Sequence, residues 1–282
     1  MQFNKIAKIA VAQDGAIWDG ELFRIDAAGR CSVYNVNELG EPTPLATFML
    51  DKKELICPHS NSVCFGTKYY DKDDKYPLLY TNIYNNYSKA EDKLVGVTCV
   101  YRIEKTNDDF NSTLVQLIEI GFVEDVELWR ATPEEHGVRP YGNFLVNPDD
   151  GAFWAYTMLN EERGTRYYKF DTPDVALGVM DERFGVRRVV LNKEDIQDSF
   201  SGAYARFIQG GAIHGGKLYS VEGFIDEPNQ PTMRIVDLKA KSEESYDLRA
   251  FGIVEEPELI DFYRGACYYS DWHGNLFTVN FD

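Results

Sequence analysis

The chain has 282 residues and a formal net charge of −17, with 29 lysine and arginine residues against 46 aspartate and glutamate residues. Hydrophobic residues make up 44% and aromatic residues 14%, which is enough for a packed core and unlike a disordered segment. This charge opposes binding to nucleic acid and to anionic membrane surfaces, because lysine and arginine supply most non-specific affinity for phosphate.

The N-terminal segment does not have the pattern of a targeting sequence. Its apolar residues alternate and are interrupted by Lys5 and Lys8, so the continuous apolar core of a signal peptide is missing. No run approaches the roughly 20 apolar residues that a membrane helix needs. The five cysteines, Cys31, Cys57, Cys64, Cys99 and Cys267, are odd in number and never form a C-x-x-C pair. Four of them lie in or beside apolar strand-like runs, which favours reduced, buried thiols. We expect a cytoplasmic protein.

One strand pattern recurs along the chain: an aromatic residue, any residue, an aliphatic residue, then an acid or amide. Four copies and one weaker variant begin at Tyr34, Tyr101, Tyr168, Arg234 and Phe277. The first three intervals are nearly equal, and repetition at a long fixed period indicates an array, a solenoid or a propeller. This pattern predicts a ring of similar units.

The first strand, residues 5–11, has no neighbouring partner, and the last unit ends one strand short at Phe277–Phe281. If the first strand completes the last unit, the ring closes and both free sheet edges are covered. We therefore predict that the N-terminal strand is the outer strand of the last blade.

The rest of the chain divides into strand–turn–strand units, and Asp19-Gly20 is a strong hairpin signal in the first. The predicted strands are 14–18, 22–26, 31–36 and 45–50 in unit one; 59–66, 78–84, 95–103 and 114–120 in unit two; 139–146, 152–158, 165–170 and 187–191 in unit three. They continue as 205–213, 217–224, 232–237 and 246–250 in unit four, and 258–263, 266–270 and 276–281 in unit five.

No sustained 3.6-residue periodicity interrupts these units, which argues against α/β folds. Short helical turns are predicted only between residues 124 and 137 and between residues 193 and 199. The sequence thus predicts an all-β, five-bladed β-propeller in a single domain spanning residues 1–282. Six blades are the alternative if a long insert in unit two or three holds another blade.

Polar residues collect where the chain enters the innermost strands, and in a propeller those strands line a central channel. A polar concavity with an aromatic rim is the usual form of a small-molecule or sugar site. The alternative is that these side chains bind channel water or loop backbone. The predicted ligand-binding residues are His59, Asn61, Asn82, Arg139, Tyr141, Asn143, Arg206, Gln209, Glu258 and Asp261.

The five-unit architecture and Asp14 on the first inner strand resemble the five-bladed propellers of several glycoside hydrolase families. Those enzymes use carboxylates from different blades, one as base or nucleophile and one as acid. The resemblance implies Asp14 as the base and, as the best remaining acid, Glu222 on a second strand. The third and fourth inner strands instead offer Asn143 and Gln209, which do not exchange protons.

No motif indicates a metal or a cofactor. His59 and His214 lack metal-ligand spacing, and Gly210-Gly211 precedes a hairpin instead of a phosphate-binding helix. For the tryptophans Trp18, Trp154 and Trp272, core packing is favoured over ligand stacking. A third hypothesis is a scaffold that binds a protein partner, because propellers host many functions on one fold.

Overall fold

The structure is a computed structural model that describes residues 1–37, 40–56, 58–83, 94, 96–107, 109–121, 139–160, 164–205 and 207–281, with residues 139–142 and 157–160 described by their backbone. In these residues the strands form five sheets arranged in a ring, as predicted for a five-bladed β-propeller. None of the described helices has the length and hydrophobicity needed to cross a membrane.

Each blade is a short antiparallel meander. The N-terminal strand and blade one comprise β1 (Gln2–Lys8), β2 (Asp14–Trp18), β3 (Glu21–Ile25), β4 (Arg30–Asn35) and β5 (Thr43–Met49), followed by a short helix, α1 (Lys53–Ile56). Blade two contains β6 (Val63–Phe65), β7 (Leu79–Asn82), β8 (Val97–Thr106) and β9 (Asp109–Ile120).

The other three blades follow the same plan. Blade three begins with β10 (Arg139–Val146), β11 (Ala152–Asn160) and β12 (Gly164–Asp171), and the chain then forms β13 (Val179–Asp181), β14 (Val186–Leu191) and β15 (Asp198–Gly202). Blade four holds β16 (Ile208–His214), β17 (Lys217–Glu222), β18 (Thr232–Asp237) and β19 (Ser242–Asp247), and blade five β20 (Pro257–Tyr263), β21 (Ala266–Asp271) and β22 (Asn275–Asn280).

The N-terminal strand closes the ring, as the sequence predicted. Strand β1 pairs antiparallel with β22, with Gln2 opposite Asn280 and Lys8 opposite Asn275. It thereby becomes the outermost strand of blade five, although its bounds begin three residues earlier than predicted. Five blades form, and the six-blade alternative is not needed.

The prediction for the fourth strand of blade three was wrong. Residues 187–191 belong to β14, which runs parallel to β9 on the outside of blade two, with Leu191 opposite Ile120. The true fourth strand is β15, and the helical turn predicted at 193–199 is only a 3-10 helix at Lys193–Asp195. The residues of β14 and β15 are mostly exposed or half-buried, so hydrophobic alternation does not specify which blade each strand joins.

In blade four, the outer strand lies a few residues before the predicted 246–250. It spans Ser242–Asp247, and a 3-10 helix follows at Leu248–Phe251. The Asp247 side chain accepts a hydrogen bond from the Arg249 amide and so caps that helix. Most of this strand is exposed or half-buried, so it carries little hydrophobic signal.

The described residues form five apolar layers, one between each pair of adjacent blades. Between blades one and two, for example, Phe23 packs edge-on against Phe65, Tyr76 and Phe110, with ring centroids 5.2, 5.4 and 5.8 Å away. Burial of both faces of the blades leaves the polar side chains of the inner strands to meet near the central axis.

Candidate functional site

The inner strands β2, β6, β10, β16 and β20 run in the same direction along the channel, so their first residues meet at one end. There Asp14 lies beside Val63 of the next blade, and a Cβ built on Gly210 would sit 3.2 Å from Asp14 Oδ1 and 3.3 Å from the Glu258 carbonyl. We call this the Asp14 end of the channel, and the opposite end, where β2 finishes, the Trp18 end.

Two predicted ligand-binding residues are the extra residues of β-bulges. In blade four Ile208 pairs with Glu222 and Gly210 with Val221, which leaves Gln209 unpaired in the register. In blade five Pro257 pairs with Asp271 and Leu259 with Ser270, so Glu258 is likewise left unpaired. A bulge re-aims a side chain and is common beside active sites. Both bulges occur at the Asp14 end, where the predicted site lies.

A chain of hydrogen-bonded side chains leads from the interior to the surface at this end. Asn61 Nδ2 donates to Gln209 Oε1 over 3.0 Å, and Gln209 Nε2 donates to Glu256 Oε1. Asn61 and Gln209 are buried, whereas Glu256 is half-buried and reaches solvent. Burial raises the pKa of Glu256 to about 7. The mouth therefore offers an amide chain that ends in a carboxyl group able to exchange a proton near neutral pH.

Three buried charged residues lie behind this chain. Asp14 Oδ2 accepts a hydrogen bond from the Val63 amide at 2.7 Å, whereas Asp14 Oδ1 and Glu258 Oε2 have no partner among the described residues. Arg24 donates to the Ala12 carbonyl at 3.2 Å, but its Nε and Nη1 are likewise unpartnered in the described residues. Hydrogen-bond donors and acceptors are therefore left without partners at the same place, which indicates a functional site or a bound water.

These buried charges shift one another's pKa values. Burial raises the pKa of both the Asp14 and Glu258 carboxyls well above the usual range, and Arg24 opposes that effect. Burial lowers the pKa of Arg24, and the two carboxyls oppose this in turn. Strong perturbation by burial together with a specific charged partner is typical of functional groups, although structural ion pairs share it.

Arg24 was not predicted as a site residue because it lies on the second strand of blade one. It reaches inward because the inner strand carries Gly15, where a Cβ would stand 3.0 Å from Arg24 Cδ and 2.3 Å from the Phe23 carbonyl oxygen. The signal available in the sequence was a charge inside the otherwise apolar run Leu22–Ile25, in which every residue is buried.

Trp272 also lies at the Asp14 end, on the turn between β21 and β22. Its backbone amide donates to the Glu256 carbonyl at 2.9 Å, and its indole Nε1 donates to Glu255 Oε2 at 3.1 Å. The indole is 43% exposed and stacks at an angle on His273, with centroids 4.2 Å apart. Trp272 is therefore a surface ring held by Glu255, the residue before Glu256, and the core packing favoured from the sequence does not apply to it.

Glu222, the predicted acid, is held by Arg234. The two Glu222 oxygens accept from Arg234 Nε at 2.8 Å and Nη2 at 3.2 Å, and both side chains are buried. Burial raises the pKa of Glu222, while the guanidinium opposes that rise. A bidentate pair of this kind occupies both carboxylate oxygens. Glu256, whose carboxyl reaches solvent, is better placed to donate a proton to a ligand.

Of the other predicted residues, several sit near the Asp14 end. Asn82 Oδ1 accepts from the Ser62 amide at 2.9 Å and is buried, Asn143 is buried with Oδ1 unpartnered in the described residues, and His59 is half-buried. Arg139 and Tyr141 lie at the start of β10, where the backbone alone is described, and Arg206 and Cys57 lie outside the described residues.

Asp261 is separated from this group. Its Oδ2 accepts from the Ile17 amide at 2.6 Å and its Oδ1 from the Phe262 amide at 2.8 Å. Ile17 is three residues beyond Asp14 on the same strand, a rise of about 10 Å. Asp261 accordingly lines a cavity at the Trp18 end of the channel. Burial raises its pKa to about 7.

No protein-family profile matches the chain, and no curated protein matches it either.

Proposed function

We propose that the protein binds a small polar ligand of the carbohydrate class at the Asp14 end of its channel, through Asn61, Gln209 and Glu256, with Trp272 as a stacking surface. The observation that carries the proposal is the hydrogen-bond chain from Asn61 to the half-buried Glu256, whose backbone carbonyl accepts from the amide of Trp272, a residue with an exposed indole. Polar groups and an aromatic face are brought together there from three different blades.

The chemistry of these groups supports a polyhydroxylated ligand. Each sugar hydroxyl both donates and accepts, and the Glu256 carboxyl and Asn61 Oδ1, which has no partner among the described residues, offer complementary atoms. The apolar C–H face of a sugar ring packs on an indole, which has a large apolar surface and a polar N–H. In Trp272 that N–H is already bound to Glu255, which fixes the orientation of the ring.

The test is a titration of monosaccharides and oligosaccharides against the wild type and the variants Trp272→Ala and Gln209→Ala, by calorimetry and ligand-observed NMR. We expect each variant to weaken binding by roughly tenfold or more, because a stacking ring or a buried hydrogen bond contributes on the order of 1–2 kcal/mol. Tyr70→Ala, at an exposed ring on blade two under Arg102, is the matched control and should bind normally.

Two results reject the proposal. If no sugar of the panel binds the wild type at millimolar concentration, the carbohydrate class is excluded. If sugars bind but both Trp272→Ala and Gln209→Ala keep the affinity of Tyr70→Ala, the ligand lies elsewhere.

Glycoside hydrolysis is the second candidate function, and the position of Glu256 favours it. A half-buried carboxyl with a pKa of about 7 at the channel mouth has the property required of a general acid. We propose Glu256 in that role in place of Glu222, with Asp14 kept as the base that the resemblance implies. Arylglycoside turnover should then fall at least about a hundredfold in Glu256→Gln. Absence of turnover by the wild type rejects this candidate.

The protein-partner hypothesis stays a prediction. The exposed apolar residues that bear on it, Leu177, Val179, Met180 and Val190, lie on or beside the β13–β14 hairpin at the outer edge of blade two. That hairpin is on the rim of the ring, remote from the channel.

A further inference from the structure

A cavity lies at the Trp18 end of the channel. It has a volume of about 620 Å³, in the range of small-molecule sites, and residues from all five inner strands line it. It differs in character from the Asp14 end, because its inner wall is formed by apolar residues such as Ile17, Val146 and Ile213.

Aromatic rings form much of the rim. Trp18 lies 6.0 Å from Phe65 and 6.5 Å from Tyr69, with the Tyr69 ring nearly perpendicular to it and 42% exposed. On another side, Phe262 stacks on His214 with centroids 4.4 Å apart. A cavity walled by several rings offers negative π faces to a ligand.

The cavity contains one inward carboxyl without a cationic partner. Asp261 accepts two backbone hydrogen bonds, and in the described part of the chain neither a lysine nor an arginine pairs with it. The other charged residues of the lining are Asp19 and the exposed Arg264, whose guanidinium lies over the Tyr263 ring at 5.0 Å. A desolvated carboxylate is stabilised by an opposite charge within a few ångströms.

We propose that this cavity is a second binding site, for a small organic ammonium ion with an apolar or aromatic body. The ammonium group pairs with Asp261, and the body of the ligand packs against Trp18 and Tyr69. Aromatic walls with an inward carboxylate that has no cationic partner select a cation over a neutral molecule of the same shape, since both the ring faces and the carboxylate attract positive charge. The proposal does not depend on sugar binding at the other end.

The experiment compares three probes of similar shape and different charge: benzylammonium, benzyl alcohol and phenylacetate. Backbone amide shifts in ¹H–¹⁵N NMR spectra report where each probe binds, and their titration gives the dissociation constant. For the wild type we expect benzylammonium to bind at least about tenfold more tightly than benzyl alcohol, and phenylacetate to bind most weakly. The largest shifts should be those of the Ile17 and Phe262 amides, which donate to Asp261.

The variant Asp261→Asn should reduce the preference for benzylammonium over benzyl alcohol to less than about twofold. An asparagine oxygen still accepts one of the two backbone hydrogen bonds, and an unchanged melting temperature checks the fold. Asp198→Asn, which removes an exposed carboxylate on the outer strand β15, is the control and should keep the preference. Trp18→Leu should weaken both probes while the cation stays preferred.

The proposal is overturned if the wild type binds the alcohol as tightly as the cation, or if Asp261→Asn keeps the full preference. It is also overturned if the shifts centre on Gln209 and Glu256, because the probe then occupies the Asp14 end. The wild-type comparison and the shift map decide the matter even if Asp261→Asn does not fold.

Discussion

Two aspartates on inner strands show how a propeller joins blades that share no backbone hydrogen-bond ladder. Asp14 of blade one accepts from the Val63 amide of blade two, and Asp261 of blade five accepts from the Ile17 amide of blade one. Backbone N–H groups at the edge of an inner strand need acceptors when they are buried. Each carboxylate meets that need, so Asp14 has a structural role whatever its part in ligand binding.

We predict that Asp14→Ala lowers the free energy of unfolding by roughly 1–3 kcal/mol, because it leaves the buried Val63 amide without its acceptor and removes a negative charge near the buried Arg24 guanidinium. Urea unfolding followed by circular dichroism measures the change. Asp226→Ala, at an exposed loop position, serves as the control and should lie within about 0.5 kcal/mol of the wild type. Equal stability of both variants would contradict the structural role.

A second residue-scale prediction concerns the pH dependence of stability. Because the pKa of Glu256 rises to about 7 on folding, the folded state binds its proton more tightly than the unfolded state does. The stabilisation is therefore complete below the unfolded pKa of about 4.3 and is lost as the pH rises toward 7. Glu256→Gln removes this loss, so its unfolding free energy should decline less between pH 5 and pH 8 than that of the wild type.

Urea unfolding at both pH values measures that difference. Glu244→Gln, on the exposed outer strand β19, is a control that should keep the wild-type slope. A slope in Glu256→Gln equal to that of the wild type would show that Glu256 ionises normally.

At the scale of elements, the glycines of the inner strands set how closely neighbouring blades approach the axis. A Cβ on Gly211 would stand 2.4 Å from the Tyr156 hydroxyl of blade three, well inside contact distance. The Arg24 side chain likewise occupies the space beside Gly15, where a Cβ would stand 3.0 Å from Arg24 Cδ. Side chains of second strands therefore reach the channel region where the first strand has no side chain of its own.

Gly211→Ala should accordingly destabilise the protein by about 1–3 kcal/mol, the usual cost of forcing an extra carbon into a packed interior. Gly40→Ala adds the same atom where no described neighbour lies within 4 Å, and it should be neutral. Thermal unfolding of the two variants tests the difference. A neutral Gly211→Ala would mean that Tyr156 moves aside without cost.

At the scale of the whole molecule, the ring depends on a single closure. Strand β1 covers the outer edge of β22, and Phe3 packs edge-on against Tyr269 with ring centroids 5.2 Å apart. Without β1 the β22 edge carries unpaired backbone groups, which invite pairing with another chain.

A chain lacking residues 1–8 should therefore self-associate and melt at a lower temperature than the full chain. Size-exclusion chromatography with light scattering and a thermal melt measure both effects. Lys5→Ala removes only the hydrogen bond to Asn275 and keeps the strand, so it should remain like the wild type. A monomeric truncated chain with an unchanged melting temperature would show that the closure contributes little.

The channel also has two ends of opposite character, and only their separation makes two independent sites possible. The sequence placed Asp261 together with Glu258, three residues earlier on β20. The structure puts Glu258 with Asp14 and Arg24, and Asp261 against the apolar cavity. Three residues along a strand span about 10 Å, which is far enough for Glu258 and Asp261 to serve different ends.

The sequence by itself determined most strands of the units, the five-fold ring, its closure by the N-terminal strand, and the polar positions Asn61, Gln209 and Glu258. Hydrophobic alternation and turn residues act over a few neighbours in the chain, so these features are readable locally. Only the tertiary structure decided that Arg24, Glu256 and Trp272 join the Asp14 end, that Arg234 binds Glu222, and that β14 crosses to blade two. These depend on bulges and on contacts between blades distant in sequence, which no local pattern encodes.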